Sequence, residues 1–195
     1  MTAAAPFLFG KLPAHGDFVA RGLSQAAQQA WDAWASQALQ ALRDAAGEAF
    51  DDAHEAAPPW RFVAGPSRYG DDWRAGALAP SIDSAGRRFL VVLGVQGWSP
   101  VQAAGMGLEI AQAAEHLIYR VIGSSLSADD ASTAIQTLLD EVEAAYGPVA
   151  EALAARPGAA GVWWPNDGGP VVTGAEPPAQ ILKPRPSPSS WDANP

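Results

Sequence analysis

The sequence predicts an α+β fold: an antiparallel sheet of about five strands with helices packed on its faces. Three observations predict it. Extended apolar runs at 60–64, 74–80 and 88–96 are joined by links too short for crossover helices. Helical periodicity is confined to blocks before and after those runs. The resulting order is strand, helix, three strands, two or three helices, strand, which does not place helices between parallel strands.

The first strand is Pro6 to Phe9. A helix follows over 24–46, with Trp31, Trp34, Ala38, Leu42, Ala45 and Ala49 recurring at spacings of three and four. Ser24 suits its N-cap, and Gly47 suits its stop. Residues 51–59 are acidic and end in Ala-Ala-Pro-Pro, so they read as a connection. Asp83, Ser84 and Gly86 mark a turn between the second and third extended runs. Phe89-Leu90-Val91-Val92-Leu93 is apolar without alternation, which predicts a central strand covered on both faces. Ser99, Pro100 and Gln102 form a capping-box start for the next helix. Met106, Ile110, Ala113, Leu117 and Val121 lie on one of its faces, and Gly105 and Gly107 are positions for a split or kink. Ser127 caps a third helix with Asp129 and Asp130 in its first turn. Its stripe is Ala131, Ile135, Leu138, Val142 and Tyr146, and Pro148 to Ala155 suits a short extra helix. Gly161 to Trp164 reads as a strand, with Val171 to Thr173 as its partner. The domain is expected over 1–175. The remaining 176–195 hold six of the 17 prolines and read as a tail that is extended, wrapping or partly disordered.

Composition narrows the function. The chain has 195 residues, 48% hydrophobic and 17% charged, which suits a globular core. A net charge of -9 argues against nucleic acid and anionic membranes as partners. There is no cysteine, which excludes disulfides and thiolate metal sites and fits the cytoplasm. No segment approaches the apolar length of a membrane span. Eight tryptophans imply several buried indoles or an adhesive surface.

The most unusual stretch is Phe9 to Arg21, where Gly10, Lys11, Pro13, His15, Gly16, Asp17 and Arg21 sit between apolar anchors. His15 beside Asp17 fits a general base with its orienting carboxylate, or part of a metal site. It equally fits a hydrogen-bonded loop, and no third group accompanies the pair. Asp17 paired with Arg21 or Arg87 would tie this loop to the later hairpin. Ser81 and Asp83 suggest a nucleophile with an acid, but no G-x-S-x-G elbow is present, and the segment reads better as a turn. Arg87 and Arg88 are a basic spot suited to pairing with Asp17 or Glu109, or to an anion. Gly65 to Gly70 lacks the Lys-Ser/Thr end of a phosphate loop and reads as a link. Trp31 and Trp34 read as core. Trp163 and Trp164 point to opposite faces of a strand, one into the core and the other under a helix or partner. Trp191, in the tail, is a candidate docking anchor.

The stretch Phe9-Gly10-Lys11-Leu12-Pro13-x-x-Gly16-Asp17-Phe18-Val19-x-Arg21, followed by Trp31 and Trp34, resembles the N-terminal domain of the TagF family, accessory proteins of the bacterial type VI secretion system. The likeness continues in Trp73 to Phe89, with Pro80-Ser81-x-Asp83 and Gly86-Arg87, and in Val162-Trp163-Trp164. This resemblance implies a cytoplasmic, non-enzymatic, post-translational repressor of secretion. Its implied partners are the forkhead-associated scaffold protein or baseplate and membrane components. It implies no catalytic residues, cofactor or metal. Lys11, Gly16, Asp17, Arg21, Ser81, Asp83, Gly86 and Arg87, with Trp164 and Trp191, become structural or partner-contact candidates. The alternatives are a hydrolase or metal- or nucleotide-dependent enzyme using His15/Asp17 with Ser81/Asp83, and a structural subunit of the secretion machine.

Overall fold

Alternation and periodicity are realised as three layers, helices on either side of one sheet, in a computed structural model that describes residues 3–142, 160–168, 171–179 and 181–182. The sheet has seven strands, all antiparallel, in the order β2-β1-β5-β4-β3-β6-β7. They are β1 (Ala5–Gly10), β2 (Val19–Arg21), β3 (Trp60–Ala64), β4 (Trp73–Ile82), β5 (Arg88–Trp98), β6 (Gly161–Pro165) and β7 (Val172–Thr173). The helices are α1 (Gln25–Ala46), α2 (Phe50–Ala56), α3 (Pro100–Ser124) and α4 (Ala128–Glu141).

β5 runs through the middle and feeds both cores. Val91, Leu93 and Val95 pack with Ile110, Leu117, Ile118 and Val121 of α3 on one face. Leu90 and Val92 pack with Trp31, Trp34, Leu39 and Leu42 of α1 on the other. The expectation of a strand covered on both faces is met. Trp163 is fully buried on the α1 side and stacks on Phe62 at 4.5 Å between ring centres. Trp164 is half-buried against the α3-side core.

Caps form where the hydroxyls predict them. Ser24 accepts the Ala27 amide, Ser99 and Gln102 close a reciprocal box, and Ser127 accepts the Asp130 amide. Gly47 ends α1 with its amide on the Arg43 carbonyl.

The differences have local causes. Seven strands replace about five because β2, three residues long, is too short to show a period of its own, and because the expected partner of Gly161–Trp164 does pair with it, as β7 over Val172–Thr173. The acidic connection is helical over Phe50–Ala56. Phe50, Ala53, His54 and Ala57 fall at i, i+3, i+4 and i+7 and pack on the α1-side core, and Asp51 and Asp52 suit its first turn. The α1 stripe passes through Ala35 and Leu39, leaving Ala45 and Ala49 exposed. α3 runs unbroken through Gly105 and Gly107. A Cβ on Gly107 would sit 2.5 Å from Val63 Cγ2, so this glycine lets helix and sheet approach closely. Tyr146, the expected short helix at 148–155 and Trp191 lie outside the described residues. The described part of the tail lies on the α1 side, where Ile181 and Leu182 are buried.

Candidate functional site

The opening loop and the β4–β5 hairpin are adjacent, and Lys11, Ser81, Gly86 and Arg87 gather around one buried carboxylate, that of Asp83. Lys11 follows β1 directly, and its amide donates to the Leu90 carbonyl at 3.1 Å. Its side chain is drawn inward, leaving the residue 7% exposed. There Nζ donates to Asp83 Oδ2 at 2.9 Å. Arg87 Nε donates to the same oxygen at 2.7 Å. The Ala85 and Arg87 amides donate to Asp83 Oδ1 at 3.0 and 2.9 Å. Gly86, at φ 75°, turns the chain so that both amides face the carboxylate. Ser81 Oγ donates to the Lys11 carbonyl at 2.7 Å. The Asp83 side chain has no exposed surface. Burial pushes its carboxyl upward, but the bonds from Lys11, Arg87 and Ala85 outweigh that and hold it well below the usual carboxylate range.

The loop residues 15–17 complete the junction mainly with backbone. The Ser84 amide donates to the His15 carbonyl at 2.9 Å, and Arg87 reaches the Gly16 carbonyl at 2.5 Å. His15 Nε2 accepts the Ala128 amide at 3.1 Å, so the ring caps the first turn of α4. Asp17 is exposed, and its carboxylate accepts the amide of Phe18 at 2.8 Å. The expected Asp17–Arg21 and Asp17–Arg87 pairings do not form. Arg21 pairs with Asp129 at 2.7 Å, because β2 lies beside the start of α4. Arg87 is held by Asp83. Arg88 pairs with Asp51 at 2.5 Å and Glu55 at 2.9 Å on α2, rather than with Asp17 or Glu109. The unforeseen helix α2 supplied those partners.

Ser81, Asp83 and His15 therefore meet around the junction of the two loops through internal bonds, and Asp17 lies exposed at its edge. The hydroxyl and the buried carboxylate are spent on internal bonds, and the histidine acceptor is spent on a helix end. Among the described residues, no group of three or more His, Asp and Glu side chains is placed to hold a metal ion. The Gly65–Gly70 segment is a link, as expected. Ser67 and Gly70 exchange backbone bonds, and the buried Arg74 braces them through Ser67 Oγ and the Gly70 carbonyl. Burial lowers the Arg74 guanidinium to about 10, outweighing the opposing pull of Tyr69 and Asp71.

Two features escaped the sequence reading. One is a network in which Arg61 bonds Glu115 at 2.5 Å, and Asn166 bonds both Glu115 and the Tyr119 hydroxyl. The other is an apolar groove of about 520 Å³ between α2, the end of β4 and α3. Pro80 inside an extended run was the available signal, since proline in a strand marks an open edge.

A family model described as the TagF N-terminal domain, type VI secretion system-associated, matches residues 8–138. The crystal structure of PA0076 from Pseudomonas aeruginosa PAO1 is similar to this chain at a TM-score of 0.68 and 26% identity. The similarity covers 94% of this chain and 96% of that one. No curated protein matches the sequence. Among the described residues, no helix is long and apolar enough to cross a membrane.

Proposed function

The chain belongs to the TagF N-terminal domain family of type VI secretion system-associated proteins, and from that membership we propose that it is a cytoplasmic, non-enzymatic regulator that represses secretion by binding a protein partner. The observation that carries this reading is the use of the motif residues. Lys11, Ser81, Asp83 and Arg87 lock two loops together. Their side chains are committed to holding the shape of the two loops, which leaves recognition to the surface around them.

A hydrolytic role would need the Ser81 hydroxyl and Asp83 carboxylate free to meet substrate, and both are buried and engaged. The partner class is the forkhead-associated scaffold protein or the baseplate and membrane components of the same system. Deletion of the gene in a secreting strain should raise secretion, and the tagged full chain should retrieve one of those components. Unchanged secretion together with no recovered component overturns the reading.

A further inference from the structure

β4 is longer than the neighbour that covers it. β3 begins at Trp60, opposite Leu78, whereas β4 continues to Ile82. Residues 79–82 therefore pair with β5 on one side and, among the described residues, with no strand on the other. The groove of about 520 Å³ lies along this open edge.

The register shows which groups face it. In an antiparallel ladder, the N–H and C=O of one residue point to the same neighbour and alternate along the strand. The Lys11 amide reaches the Leu90 carbonyl just beyond the Gly10/Val91 pair, so Leu90 faces β1 and Val91 faces β4. Ala79 opposite Val91, and Ser81 opposite Phe89, then face β5. The Asp83 amide on the Arg87 carbonyl continues the same parity. Pro80 and Ile82 face the open side. They offer a carbonyl from Pro80 and both an amide and a carbonyl from Ile82. Pro80 is tolerated there because its missing N–H lies where no strand needs it.

The β3–β4 ladder stops at Trp60/Leu78, whereas on its other side the chain still follows β6, the Pro59 carbonyl accepting the Asn166 amide, and Pro58 and Pro59 have no amide to offer β4. One wall of the groove is Ala57 and Pro58, and the other is Ile118, Tyr119 and Ile122 of α3. An edge that meets no further strand among the described residues, set between apolar walls, fits an extended chain with apolar side chains at alternate positions. Arg88, the cation on the lining, is already held by Asp51 and Glu55. A terminal carboxylate or a phosphate finds no free countercharge there. Two carboxylates around one guanidinium leave that rim with an excess negative charge, which favours a basic residue beside the apolar ones.

We propose that an internal, extended segment of a partner protein, apolar at alternate positions and flanked by a basic residue, adds to this edge of β4 as a β-strand. The site spans four residues of β4, roughly 13 Å of strand. The proposal deepens the protein-binding reading above and rests on it.

The test is selection of a random twelve-residue peptide library on the full chain, followed by hydrogen exchange of the complex. Binders should share alternating apolar positions with a lysine or arginine and should protect the Ile82 amide. Ile82→Pro removes that amide, which lies off the β4–β5 ladder, and Ile122→Glu places a charge in the groove. Each should weaken binding about tenfold or more. Val101→Glu, on an exposed residue at the start of α3, should leave it unchanged. Absence of binders, or binding that leaves Ile82 unprotected and both groove variants unaffected, overturns the groove assignment. A concentration-dependent dimer abolished by Ile82→Pro would place a second copy there and also overturn it. Both results leave the secretion and retrieval experiment to decide the wider reading separately.

Discussion

At the scale of single residues, the decisive fact is that Asp83 is ionised and buried. Removing water from a carboxylate is costly unless charged and backbone donors replace it, and here Lys11, Arg87 and two amides do so. Because its folded carboxyl lies below the unfolded value of 3.8, its contribution to stability is fully present above that value. It is lost as pH falls through 3.8 towards the lower folded value. Wild-type stability should therefore decline below about pH 4. Asp83→Asn should start less stable at pH 7 and show a shallower decline over the same window, measured by thermal melts across a pH series. Lys11→Met, which strips one cation from the buried carboxylate, should lower Tm at pH 7 by about 5 °C or more, while Lys11→Arg should lose less. Equal melting of Lys11→Met and wild type would mean that Arg87 and the backbone suffice. His15 belongs at this scale as well. Its ring takes a helix-end amide, so His15→Ala should cost about 1 kcal/mol, read from denaturant midpoints.

At the scale of elements, the helix caps and the central strand were legible because each is written in a few adjacent residues. Ser99-Pro100-Val101-Gln102 carries its own instruction, and so does the unbroken apolar run of β5. Short elements were not legible in this way. β2 has three residues and owes its place to pairing with β1, a partner that a local reading does not contain. α2 did carry a stripe, but acidic residues and a following Pro-Pro masked it. The same logic explains Gly107. Read locally it is a weak point, while in the fold it is the contact that seats α3 on β3. Gly107→Val should cost far more than the ~0.3–0.5 kcal/mol that helix propensity alone would gain back, because the new side chain meets Val63 directly. Gly123→Ala, where an added Cβ meets nothing within 4 Å, should be stabilising. Comparing the two midpoints separates close packing from propensity, and stabilisation by both substitutions would refute the seating role.

At the scale of the whole molecule, the two faces of the sheet are closed differently. α3 and α4 cover one face. The other is covered by α1 and α2, and its core also includes Ile181 and Leu182 from the tail. The candidate site was legible to the extent that its motif residues do meet. Its pairings were not, because Arg21, Arg87 and Arg88 choose partners according to which elements lie beside them. Those neighbours are set by sheet order, and sheet order arises from contacts distant in sequence. The tail makes the same point. Its proline content suggested an extended wrap, yet two aliphatic residues make it part of the core. Burying each is worth about 1.5–3 kcal/mol. The Ile181→Ala/Leu182→Ala variant should therefore lose about 3 kcal/mol or more. At about 2–4 °C per kcal/mol, its Tm should fall by at least about 6 °C. Hydrogen exchange should rise along β6, whose Trp163 indole donates to the Gly174 carbonyl just before the tail. Val171→Ala, on a residue 56% exposed, should do neither. If the double variant melts with wild type while β6 stays protected, the tail rests on the molecule without completing its core.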